Sequence, residues 1–178
     1  MRTAAAVDTL LGSFFVVVES GALVESGFGE PPPLPPGPLA ERAVAAVAAY
    51  FAGHPLPAFP LRLFGPRFSR RVWGVLAGTR PGEVLTYGAL AAQAGRPGAA
   101  RAVGRAMAKN PLPLFVPCHR VVRAGGVLGA YGSGVWRKAA LLLLEAGKTD
   151  LEDRVPRLRA HPNLAAVRLR DLLGDGEP

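Results

Sequence analysis

Six of the eight residues from Pro31 to Pro38 are prolines, and such a tract can form neither a helix nor a central strand. It is a connector, polyproline-like in character, and it separates two kinds of sequence. Before it, Leu10 to Val18, with Phe14, Phe15 and three valines, and Gly21 to Gly27 read as two strands joined by a turn at Glu19-Ser20-Gly21. After it, the Ala-rich stretch from Leu39 to about Ala52 predicts a helix with Val44, Val47 and Phe51 on one side and Gly53 at its end. Leu61 and Leu63 suggest a further strand, with Arg62 facing the other way. Residues 1–64 are thus expected to be a small α/β scaffold that carries no chemistry.

The chain is 178 residues long and 49% hydrophobic, enough for one globular domain or two small ones with a real core. Its one cysteine excludes an intrachain disulfide and a cysteine-rich zinc site, and a free thiol suits a reducing compartment. Asp8 and Glu19 confine the first apolar stretch to the ten residues from Thr9 to Val18, too few to span a bilayer, and no small-residue cleavage pattern follows. A cytoplasmic protein is expected.

Charge is unevenly divided. Residues 1–64 hold three Lys/Arg and five Asp/Glu; residues 65–148 hold thirteen and two; residues 149–178 hold five and six. The middle segment thus carries +11 of a net +8. Such a segment fits either a polyanion footprint, most often nucleic acid, or an Arg-rich solvated surface.

From Gly65-Pro66 the sequence changes to short Ala-rich helices. Ser69 is placed to cap one carrying Val72, Trp73, Val75 and Leu76 and ending at Gly78. Thr86 is placed to cap a second over Tyr87 to Ala94, and Arg96-Pro97-Gly98 turns the chain into a third over Ala99 to Lys109. Two short helices joined by a Gly-containing turn read as helix-turn-helix. Arg101, Arg105 and Lys109 recur every four residues on one face of the third helix, with Ala100, Val103 and Met107 on another. The basic face is a candidate for phosphate, and Arg101 stands near the end that would enter a groove.

Prolines 111, 113 and 117 then stiffen the path into Pro117-Cys118-His119-Arg120-Val121-Val122. A lone cysteine in an apolar run fits a small buried hydrophobe as well as a nucleophile. His119 and Arg120 favour the nucleophile, because burying them serves no structural thiol and is unfavourable. Consecutive side chains point apart, so His119 would act on the sulfur through a water and would need a third group to orient it. Glu145, which follows four leucines, is with Glu83 one of only two acids in the basic segment, and is the natural partner. Between them, Gly125, Gly126, Gly129, Gly132 and Gly134 flank Tyr131 in a pliable loop suited to stacking on a planar ligand, unless it is a plain hairpin turn. Val135 to Ala146 predicts another helix. Leu164, Val167, Leu169, Leu172 and Leu173 predict one short helix in residues 149–178, an extension without an assignable role.

Pro117 to Val122, preceded by Gly82-Glu83-Val84-Leu85-Thr86-Tyr87, Ala100-Arg101-Ala102-Val103-Gly104 and Asn110-Pro111, resembles the O6-alkylguanine-DNA alkyltransferases, also called methylated-DNA-protein-cysteine methyltransferases. The strong resemblance spans about Phe68 to Gly147. It implies an α+β chain: an N-terminal α/β domain with a ribonuclease H-like sheet and helix at 1–64, then a mostly helical, winged helix-turn-helix DNA-binding and alkyltransferase domain at 65–148.

It also implies roles. Cys118 would take the alkyl group once and keep it, with His119 as base through water and Glu145 orienting His119. Tyr87 would help rotate the base and donate a proton, and Asn110 would hold the active-site turn. Arg101 would fill the gap in the stack, with Arg105, Lys109 and Arg120 on the DNA backbone. Pro117, Val121, Tyr131, Gly132 and Ser133 would line the base pocket. The implied partner is duplex DNA carrying O6-alkylguanine or O4-alkylthymine, bound by a monomer without cofactor or metal. A related group has tryptophan in place of the cysteine and only binds lesions; Cys118 argues against that alternative, a non-catalytic lesion marker. A cysteine hydrolase would leave the basic segment unexplained and lacks an evident oxyanion site.

Overall fold

The computed structural model describes residues 1–147, 156 and 158–173; the other parts of the expected 149–178 extension lie outside the described residues. The fold mixes α and β structure. Two compact units are present: Met1–Phe64 with Pro111–Phe115, and Gly65–Asn110 with Val116–Pro178.

The first unit holds an antiparallel sheet of β1 (Arg2–Thr9), β2 (Gly12–Glu19) and β3 (Ala22–Phe28), in that order. β1 is absent from the sequence expectations because Arg-Thr-Ala-Ala-Ala-Val-Asp-Thr has little β propensity of its own. Pairing with β2 along its whole length, from Arg2 opposite Glu19 to Thr9 opposite Gly12, is what makes it a strand. Leu10 and Leu11 are correspondingly a turn rather than the start of β2, held by the Thr9 hydroxyl, which donates to Gly12 O and accepts from Leu11 N. The second turn lies where the sequence places it, with Ser20 and Gly21 both at positive φ, as a tight two-residue hairpin requires.

The central strand carries the core: Phe14, Val16 and Val17 are fully buried. Helix α1 (Pro38–Phe51) begins on a proline, whose missing N–H is unneeded there. It buries Ala40, Ala43, Val44, Val47 and Tyr50, and Phe51 lies only partly inside. The proline tract is tied down where Ala4 N donates to Pro35 O. The strand expected around Leu61 and Leu63 reduces to one parallel bridge between Leu61 and Leu23. Pro55, Pro57 and Pro60 leave too few N–H donors for a ladder. Residues 111–115 join this unit through Ser26, whose N donates to Pro111 O and whose hydroxyl donates to Pro113 O.

The second unit begins with α2 (Arg67–Ala77), which starts two residues ahead of the expected Ser69 cap. Pro66 occupies the cap position and no side chain caps the helix. Next come β4 (Leu85–Thr86), α3 (Tyr87–Gln93) and α4 (Ala100–Ala108). Thr86 does cap α3, its hydroxyl accepting from Ala89 N at 3.1 Å. α2, α3 and α4 pack on one another around Val72, Trp73, Leu76, Leu90, Val103 and Ala106. A 3₁₀ turn at Cys118–Arg120 leads into β5 (Val121–Val122), which pairs in parallel with β4. α5 (Val135–Glu145) follows, and buries Lys138 to Leu143. The single helix expected near the end is instead a 3₁₀ turn at Leu164–Ala166 and a short α6 (Leu169–Leu173), because Arg168 between them is extended and bridges Val127. No helix among the described residues is long and apolar enough to cross a membrane.

Trp73 ties α2 to α4: it is 2% exposed and its Nε1 donates to Ala106 O at 2.9 Å. Trp73→Phe should lower unfolding free energy by about 1–3 kcal/mol, from the lost volume and hydrogen bond. Urea titration followed by circular dichroism would measure it.

Candidate active site

The parallel β4/β5 ladder brings the site together, because it sets Leu85 opposite Val121 and Thr86 opposite Val122. Tyr87, the next residue after β4, therefore starts α3 beside the turn that bears Cys118, His119 and Arg120. Parallel strands need a long connection, and here α3, α4 and the proline-stiffened segment supply it. Asn110, just past α4, donates from Nδ2 to Val116 O at 2.8 Å and so pins the approach to the turn.

All three residues of the turn are interior: Cys118 is 8% exposed, His119 1% and Arg120 6%. The common partner of His119 and Arg120 is Glu145, at the C-terminal end of α5, with a side chain only 1% exposed. His119 Nε2 stands 2.9 Å from Oε1, and Arg120 donates from Nε to Oε2 at 2.9 Å and from Nη2 to Oε1 at 2.7 Å. Gly82 N adds a bond to Oε2 at 3.1 Å. Arg120 spends its remaining nitrogen, Nη1, on Thr79 O and Thr79 Oγ1, at 2.6 and 2.9 Å. Burial alone would raise the Glu145 carboxyl, but His119 and Arg120 together hold it well below the usual carboxylate range.

The same burial pushes the His119 imidazole below its ordinary value, against the pull of Glu145, so the ring is neutral at pH 7. A neutral ring facing an ionised carboxylate carries its proton on Nε2, an assignment made from the network. Nδ1 is left as the basic nitrogen; it is buried and has no hydrogen-bond partner among the described residues. Burial also raises the Cys118 thiol, while the Asn110 and Tyr131 side chains and the Lys138 charge draw it part of the way back. Near neutral pH the sulfur is therefore protonated, and a base is needed before it can attack. Tyr87 is raised in turn by burial and by Cys118, with Arg123 opposing, which sets its hydroxyl in the same field.

Lys138 was not found from the sequence. It reads as a surface cation on an amphipathic helix, yet it is 1% exposed and donates to Val121 O at 2.6 Å and to Leu128 O. Burial lowers it to about 8 even with Cys118 pulling upward. Thr79 and its turn were missed for the same reason, since nothing local marks a partner 41 residues away.

Arg120, expected among the DNA-binding residues, points into the interior. The guanidinium is folded inward on Glu145 and Thr79 and the residue is only 6% exposed. Arg101, Arg105 and Lys109 are exposed along one face of α4, and Val103 and Ala106, rather than Ala100 and Met107, form its buried side. Pro117 and Val121 are buried at the turn. The Tyr131 side chain is among those that draw the Cys118 thiol downward. Gly132 is exposed, and Ser133 uses its carbonyl to accept from Arg137 Nη1 at 2.6 Å.

Residues 67–147 match the sequence profile described as 6-O-methylguanine DNA methyltransferase, DNA binding domain. The crystal structure of Mycobacterium tuberculosis OGT in complex with DNA is 37% identical with a TM-score of 0.78, over 86% of this chain and 98% of that one. The chain belongs to the O6-methylguanine-DNA methyltransferase family. The family's enzyme from the archaeon Pyrococcus kodakaraensis superposes with a TM-score of 0.51 at 25% identity, over 82% of this chain and 99% of that one. By sequence, the methylated-DNA--protein-cysteine methyltransferase of Mycobacterium leprae is 50% identical over 110 residues, 61% of this chain. That alignment spans 66% of the relative's own length, just under two thirds.

A carboxylate that holds a buried guanidinium cannot be neutralised without loss. Glu145→Gln should destabilise the protein by about 3–5 kcal/mol at pH 7, since Arg120 keeps its charge and loses its partner. In the native protein the carboxyl sits below its usual 4.5, so its stabilisation is complete above that value and is lost as the pH falls below it. Urea midpoints between pH 7 and 3 should therefore fall more steeply for the native protein than for the Gln variant.

Proposed function

We propose that this protein repairs alkylated DNA by direct reversal, moving the alkyl group of O6-alkylguanine, and of O4-alkylthymine, onto its own cysteine in one irreversible turnover. The observation that carries the reading is a neutral His119 oriented by Glu145 beside the chain's single, protonated thiol. In a duplex the alkyl carbon is out of reach of a buried sulfur, so the nucleotide must be rotated out.

Each side chain then has one task. Arg101 leads α4 into the minor groove and fills the gap in the stack, while Arg105 and Lys109 hold phosphates. Tyr87 guides the rotation and donates to the departing guanine. Pro117, Val121, Tyr131, Gly132 and Ser133 border the extruded base. His119 Nδ1 takes the thiol proton through one water, and the resulting thiolate displaces guanine from the alkyl carbon in line. The new bond is a thioether, the bond to O6 breaks, and guanine leaves with a proton from Tyr87. Asn110 keeps the turn in register. No cofactor or metal is required by these steps.

In this reading residues 1–64 are a scaffold whose sheet and helix are ribonuclease H-like. Residues 65–148 form a winged helix-turn-helix in which α3 and α4 are the paired helices. The protein acts as a cytoplasmic monomer on double-stranded DNA.

Mixing the protein with excess duplex bearing one O6-methylguanine should add one methylene per chain, mapped to Cys118 and never exceeded. Cys118→Ala should abolish the adduct and keep DNA binding. An unchanged native mass with retained lesion binding would make the protein a damage marker instead. Single-turnover rates should fall about 100-fold or more in His119→Ala, the usual contribution of a positioned base.

A further inference from the structure

The proposed reaction leaves the described residues beyond α5 unused, and the family profile stops at residue 147. These residues nonetheless bury Leu158 and Leu164 and grip the segment that precedes Tyr131. Leu128 N donates to Val167 O and Gly129 N donates to Ala165 O, each at 3.0 Å, and Val127 pairs with Arg168 in an antiparallel bridge. The Arg159 guanidinium lies 4.1 Å from the centre of the Trp136 ring on α5.

Leu128 is the connecting residue. Its N–H is taken by the extension and its carbonyl accepts from Lys138 Nζ, which also donates to Val121 O. A buried ammonium stays charged only while acceptors hold its donors, and two of the three are these carbonyls. We propose that residues 158–173 are a positioning strap: by fixing Val127–Gly129 they keep the Leu128 carbonyl on Lys138, and so keep the Lys138 ammonium beside Cys118. The charge that this maintains draws the thiol downward. The other titratable groups in that field are Arg123, Tyr87, Tyr131 and the neutral His119. None of them lies on the strap, which meets Val127–Gly129 through backbone.

The inference rests on the reading of Cys118 as alkyl acceptor, and the native chain tests that reading first: a protein that transfers no alkyl group removes the proposed function, whatever the strap does. Given transfer, Leu164→Met, Leu164→Ala and Leu164→Asp in the full chain form a graded series. Three quantities would be followed: amide hydrogen exchange at Leu128 and Gly129, single-turnover alkylation against pH, and duplex affinity. The Met variant should match the native protein. Leu164→Ala should lose amide protection, transfer roughly tenfold more slowly at pH 7, and move its half-maximal rate up by about one pH unit, with duplex affinity unchanged. Leu164→Asp should exceed it in each respect; should that variant unfold by circular dichroism, the Ala variant decides alone. A merely structural role would lower the active fraction and leave the pH profile in place. Lost protection with an unmoved pH profile would overturn the proposal, and so would protection that survives all three substitutions.

Discussion

The turn that bears Cys118, His119 and Arg120 depends on one buried carboxylate. Taking an acid and a guanidinium out of water is unfavourable by several kcal/mol for each ion, and their attraction offsets this only when every remaining lone pair and proton is satisfied. Glu145 comes close to that condition: Arg120, His119 and Gly82 N together fill its lone pairs, and Thr79 takes both Nη1 protons of Arg120. The result fixes three separate stretches of chain, the turn at 79–83, the Cys118–Arg120 turn and the end of α5, to a single point. The imidazole orientation follows from that anchoring, as does its tautomer.

The thiol sits in opposing fields. Burial disfavours the thiolate, and Lys138, Asn110 and Tyr131 favour it, with burial prevailing in the resting protein. In the proposed single turnover, a protonated resting sulfur would be protected against oxidation and stray electrophiles, since the thiolate is the reactive form. In that reading reactivity depends on a base present from the start, the role proposed for His119 Nδ1. Lys138 adds a second control, because its own value near 8 places loss of its charge just above neutral pH.

The legible parts of the sequence were those in which local chemistry decides. The Thr86 cap, the Ser20-Gly21 turn, α1 and the pairing of His119 with Glu145 could all be read from neighbouring residues or from the scarcity of acids in a basic segment. β1 could not, because its conformation comes from a partner strand rather than from its own alanines. Arg120 and Lys138 were opaque for a related reason: a cation looks the same in sequence whether its acceptor is water, a phosphate or a carbonyl many residues away. The burial of Lys138 is legible only once α5 is seen to turn that face toward β5 and Leu128.

That ambiguity narrows what the +11 segment says about DNA. Arg120 and Lys138 belong to the interior, and Arg137 is half-buried against Trp136. The positive surface is therefore smaller than the count of thirteen Lys/Arg in residues 65–148 implies. Among its described residues, only α4 with its C-terminal cap sets three exposed cations four residues apart, at Arg101, Arg105 and Lys109. Alanine and glycine between them keep the helix slim, and Trp73 locks its buried side to α2. Charge attracts a polyanion from any direction; a thin, rigid helix with its cations in register is what converts that attraction into one docked orientation.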